Sequence, residues 1–102
     1  MPARRKPLTQ TEEIAKSLIG FIKGEREFAK RDAEGGYFER IGKPFRTKQA
    51  RDLLALCDEL LIEARSIEFM ESPEHAGMVS DNLRQRLQKT KLAQSAQLTA
   101  PR

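Results

Sequence analysis

The chain has 102 residues, of which 33% are charged and 38% hydrophobic, with a formal net charge of +4. That is one domain's worth of chain, with a modest core built mainly from aliphatic side chains, since there are five phenylalanines, one tyrosine and no tryptophan. No apolar run approaches the roughly 20 residues of a membrane span, and no apolar stretch of signal-peptide type follows Arg4, Arg5 and Lys6. A cytoplasmic protein is expected, and the single cysteine, Cys57, agrees with a reducing compartment.

Charge is segregated along the chain. Residues 1–8 carry +3. Residues 38–51 hold Arg40, Lys43, Arg46, Lys48 and Arg51 against Glu39, a balance of +4. Residues 52–75 hold seven acids against Arg65, a balance of −6, and residues 76–102 return to +4 with five bases against Asp81. Such blocks point to faces that meet different partners, or to copies that pair with each other.

In chain order, residues 1–8 read as a flexible basic arm. Thr9 and Glu12 have the spacing of a capping box, with Thr11 as an alternative cap. A first helix follows, its apolar stripe being Ile14, Leu18, Phe21, Ile22 and Phe28, widened by Ala15 and Ile19. Gly20 and Gly24 weaken it or admit another helix, and Gly35 and Gly36 end it. Residues 37–46 form a connector, a short strand or one helical turn, whose Tyr37, Phe38, Ile41 and Phe45 are expected to fold back on the core.

Thr47 then offers a cap for a second helix running to about Met70. Along it Ala50, Leu53, Cys57, Leu60, Ala64 and Ile67 recur at alternating intervals of three and four, a heptad seam, with Leu54 and Leu61 beside it. Ser72, Pro73 and Glu74 start a third helix: cap, first-position proline, first-turn acid. Its apolar positions are Ala76, Val79, Leu83 and Leu87, and residues 93–102 read as a flexible tail. The expected fold is all-α: a three-helix domain over residues 9–92 with a C-terminal antiparallel hairpin. The seam of the second helix offers more apolar surface than the third helix can cover. Ala50, Leu53, Cys57, Leu60, Ala64 and Ile67 are therefore the expected interface of a homodimer.

No catalytic constellation emerges. His75 is the single histidine, and Cys57 sits between leucines as a small core hydrophobe. Glu59, Glu63, Glu68 and Glu71 lack the paired Glu-x-x-His pattern of a carboxylate metal centre and read as a solvated face. No glycine spacing of a phosphate loop is present. No cofactor and no metal are expected.

The basic groups carry the functional reading. Arg4, Arg5 and Lys6 suit an arm along a nucleic-acid backbone. Arg40, Lys43, Arg46, Lys48 and Arg51 lie among Tyr37, Phe38 and Phe45, a mixture suited to phosphate contact with stacking. The connector is too long for a helix-turn-helix. A non-enzymatic regulatory or accessory protein that touches nucleic acid is expected. The alternative is an inhibitor or adaptor that docks a helical face on a partner protein.

Overall fold

A computed structural model describes residues 8–99. The first long helix, α1 (Gln10–Glu34), starts where Thr9 Oγ1 accepts the Glu12 backbone N–H at 3.2 Å. Only half of the capping box forms, because the Thr9 hydroxyl also donates to the Glu12 carboxylate at 3.2 Å. Thr11 lies inside the helix, buried, with its hydroxyl donating to the Glu68 carbonyl at 3.3 Å. The connector contains one helical turn, α2 (Tyr37–Arg40). Then come α3 (Pro44–Arg65), a 3₁₀ turn (Ser66–Phe69) and α4 (Pro73–Thr99). The described chain is helical throughout apart from its turns, and it contains no strand.

Two expected boundaries move. The helix after the connector starts at Pro44, a residue pre-set for a first helical position, with Lys43 at the cap. Thr47 is a buried first-turn residue, and its hydroxyl has no partner at hydrogen-bond distance. At the other end the helix tightens into the 3₁₀ turn, where Ser66 Oγ donates back to the Glu63 carbonyl at 2.6 Å. The start at Pro73 is as expected: the His75 N–H donates to Ser72 Oγ at 3.2 Å.

Contacts between helices set their directions. Arg26 meets Asp58 and Thr11 meets Glu68, so α1 and α3 run in opposite senses. Arg86 meets Glu63 and Gln94 meets Gln49, so α4 reverses again. Lys91 reaches Glu25 and Arg84 reaches Ser17, which places α4 alongside α1 in the same sense. The molecule measures 58 × 33 × 16 Å with a radius of gyration of 17.1 Å, against roughly 13 Å for a compact chain of this length. The helices are long for the domain. At 1.5 Å per residue α4 alone spans about 40 Å.

The core holds Leu18 and Ile22 of α1, Cys57, Leu60, Leu61 and Ala64 of α3, Ile67 of the 3₁₀ turn, and Ala76, Leu83 and Leu87 of α4. Each large aliphatic contributes roughly 1.5–3 kcal/mol by leaving water. The heptad seam assigned above to a second copy is filled from within the chain. Ala50, Cys57, Leu60, Ala64 and Ile67 are buried and Leu53 is half-buried in a single copy. The periodicity marks a buried face correctly, but α1 and α4 cover that face, so self-association would have to use other side chains.

Other expectations are corrected by burial. Phe28 falls on the apolar stripe of α1 but is 66% exposed, and Ile41 and Phe45 do not fold back on the core. Only Phe38 of the connector is buried. Gly20 and Gly24 have open space where a Cβ would sit, so among the described residues no other helix approaches them. The helix also continues through residues 93–99, where the sequence shows no packing pattern. Alanines and glutamines there favour helix, and Gln94 Nε2 donates to the Gln49 carbonyl at 2.9 Å.

Candidate nucleic-acid interface

Two glycines build the corner that carries the basic residues. Gly36 (φ +66°) and Gly42 (φ +76°) take the left-handed conformation that glycine adopts without a Cβ clash. The first turns the chain out of α1 into α2, and the second turns it into α3. Arg40, Lys43, Arg46, Lys48 and Arg51 thereby gather where α2 meets the start of α3.

Arg40, Lys43, Lys48 and Arg51 are exposed, and Arg46 is half-buried. None of the five makes an ion pair within 4 Å among the described residues. Arg40 donates to the Gly35 carbonyl at 3.1 Å. Arg46 lies over the buried Phe38 ring, its guanidinium carbon 4.6 Å from the centroid. Tyr37 meets Phe38 edge-on, with centroids 5.5 Å apart. Tyr37, Phe38 and Arg46 thus form one run of contacts. Tyr37 is 56% exposed and Phe45 47%.

The electrostatics of the corner are one-sided. A helix start carries about +0.5 of an elementary charge. The first turn of α3 has no acid and no side-chain cap to offset it. Glu39 is the acid of α2. Its carboxyl is held below the usual carboxylate range, first by the nearby Thr47 hydroxyl, then by its own backbone N–H, with Arg51 and Arg40 adding attraction. Thr47 Oγ1 has no partner within 3.5 Å, so its effect on Glu39 is that of a close dipole rather than of a formed hydrogen bond.

Among the bases elsewhere, three form ion pairs between helices. Arg26 pairs with Asp58 at 2.7 Å, Arg86 with Glu63 at 2.7 Å and Lys91 with Glu25 at 2.8 Å. The Arg26 guanidinium is held above its ordinary pKa by its hydrogen bond to Asp58. Part of the charge segregation in the sequence is therefore resolved by oppositely charged side chains of neighbouring helices meeting inside one chain. Arg4, Arg5 and Lys6 lie outside the described residues.

A groove of about 340 Å³ opens beside the corner, between α1, α2, α3 and α4, with Phe28, Phe38, Arg46 and Leu53 among its lining residues. Neither the groove nor the run of contacts was readable beforehand. Phe38 and Arg46 are eight residues apart across a left-handed glycine, and no helical or strand period links them.

Cys57 and His75 are in contrasting surroundings. Burial pushes the Cys57 thiol up to about 11, so it is protonated and a poor nucleophile at neutral pH. His75 is exposed on the first turn of α4. Among the described residues no three His, Cys, Asp or Glu side chains group as a metal site, and no helix is long and apolar enough to cross a membrane. Comparison with protein-family models, with curated proteins and with solved structures gave no match to this chain.

Proposed function

We propose that this protein is a non-enzymatic regulatory or accessory protein that holds a nucleic-acid backbone at the α2–α3 corner. One observation carries the reading. Five bases surround a helix start that has neither cap nor acid, and none of them is ion-paired among the described residues. Like charges at a positive helix end cost free energy in the free protein, and phosphates relieve that cost.

Fluorescence anisotropy with a mixed-sequence duplex tests the reading. Each neutralised phosphate contributes roughly −0.9 to the slope of log affinity against log salt, so four contacts give about −3.6. Lys48 and Arg51 are exposed three residues apart on one helical face. Lys48→Gln with Arg51→Gln should flatten the slope by roughly two. No binding of either a duplex or a single strand near 0.15 M salt at protein concentrations up to about 100 μM removes the reading, since ordinary non-specific affinity lies within that range.

A second reading, a protein-binding adaptor, is favoured by Ile62 and Phe69, which are 71% and 79% exposed. It requires a partner complex that persists at high salt because apolar anchors hold it.

A further inference from the structure

Resting on the reading above, we infer that the corner selects single-stranded over double-stranded nucleic acid, stacking unpaired bases on Tyr37, Phe45 and the Arg46 guanidinium. Three observations carry this. First, large aromatic rings stand in water among the unpaired bases: Tyr37 and Phe45 are each about half exposed, although Phe38, in edge contact with Tyr37, is buried. Rings in that setting are stacking platforms for bases, whose faces are unavailable inside a duplex.

Second, the Arg46 guanidinium carbon already sits over the Phe38 ring, 4.6 Å from its centroid, while the side chain keeps partial exposure. A guanidinium plane fixed by a ring beneath it is a preorganised surface for a base above it.

Third, the shape is wrong for a duplex. Reading a major groove requires a helix or ribbon that enters it, and α2 has four residues. From Lys43 to Arg51 the basic stretch covers about 12 Å of helix. Beyond it, Asp52 and Glu59 are exposed on α3 and would meet the phosphates of a rod laid along that helix. A flexible strand can keep to the basic end. Its phosphates take Lys43, Lys48 and Arg51 while its bases turn onto the rings. Glu39, and Asp32 in the lining of the adjoining groove, are opposing charges at this end, and they limit how many phosphates fit.

The full-length protein is titrated with a 20-nucleotide oligothymidylate, a 20-nucleotide oligouridylate and a 20-base-pair duplex at equal salt. Single strands should bind at least tenfold tighter than the duplex. Stacking contributes roughly 1–3 kcal/mol per base. Tyr37→Ala with Phe45→Ala should therefore weaken single-strand binding about tenfold or more and change duplex binding less than twofold. Tyr37→Phe should retain it. The chain has one tyrosine and no tryptophan, so intrinsic fluorescence of the unmodified protein reports Tyr37 alone. It should be quenched by the single strands and not by the duplex. Either single strand supports the inference. Equal affinity for strand and duplex, or indifference to the double substitution, overturns the single-strand inference and leaves backbone binding standing. Absence of binding to all three probes removes both.

Discussion

The three long helices begin in different ways. At α1, Thr9 caps the Glu12 N–H, and Glu12 and Glu13 place acids in the first turn. At α4, Ser72 accepts from the His75 N–H, with Pro73 and Glu74 behind it. Both starts satisfy an orphan donor and oppose the helix dipole with negative charge. At α3 the cap position is Lys43 without a side-chain bond, and Arg46 follows in the first turn where acids would stabilise. Each such charge is unfavourable by roughly 0.3–1 kcal/mol. A local conflict within an otherwise consistent sequence is where function is expected to sit. The helix forms nevertheless, because its inward face is packed from both sides.

The largest expected effect tests that last point. If the core holds α3 whatever its first turn costs, Leu60→Ala should destabilise by about 2–5 kcal/mol in urea unfolding. A loss under about 1 kcal/mol would mean that α3 does not rest on the core. The Cys57 thiol probes the same core from its titration. Its folded value is about 11 against an ordinary 9.0. The unfolded chain therefore releases the proton first, and the associated stability is full below pH 9 and lost as pH rises through 11. Two units correspond to about 3 kcal/mol as an upper bound. Unfolding followed from pH 8 to 11 should fall more steeply for the natural chain than for Cys57→Ala, and parallel curves would refute the buried thiol.

The smaller effects contrast the helix starts directly. Thr9→Ala should cost about 1 kcal/mol, as loss of a cap does. Lys43→Asp should have the opposite sign, raising stability by roughly 0.3–1 kcal/mol while weakening nucleic-acid binding. Stability and binding falling together in Lys43→Asp would show that no conflict exists at α3.

The starts of α1 and α4 and the buried faces are legible in the sequence because they follow from local rules, whereas the start of α3 lies at Pro44 and not at the expected Thr47. Thr9, Ser72 and Pro73 announce themselves by residue type, and Leu18, Ile22, Leu60, Leu83 and Leu87 by period. What covers a buried face is not local. The interval pattern from Ala50 to Ile67 is the same whether the cover is a second copy or α1 and α4. Phe28 differs for a related reason: the buried face of α1 runs through Leu18, Ile22 and Ala29, and Phe28 stands beside that line at the rim of the groove. At the candidate interface the basic residues could be named from composition alone. Their arrangement could not, since it depends on two left-handed glycines and on Arg46 crossing to Phe38.

The reciprocal pair Gln49 and Gln94 has a consequence for any measurement in salt. Each side-chain amide donates to the other residue's backbone carbonyl, at 3.3 and 2.9 Å. Neither group is charged. The ion pairs between helices weaken as the screening length shrinks from about 8 Å at physiological salt to about 3 Å at 1 M, whereas this amide clasp does not. Gln49 neighbours Lys48 on α3, so the clasp fixes the alignment of α3 with α4 at the same end as the basic corner. Added salt therefore competes for whatever the corner holds while the scaffold beneath it keeps its register.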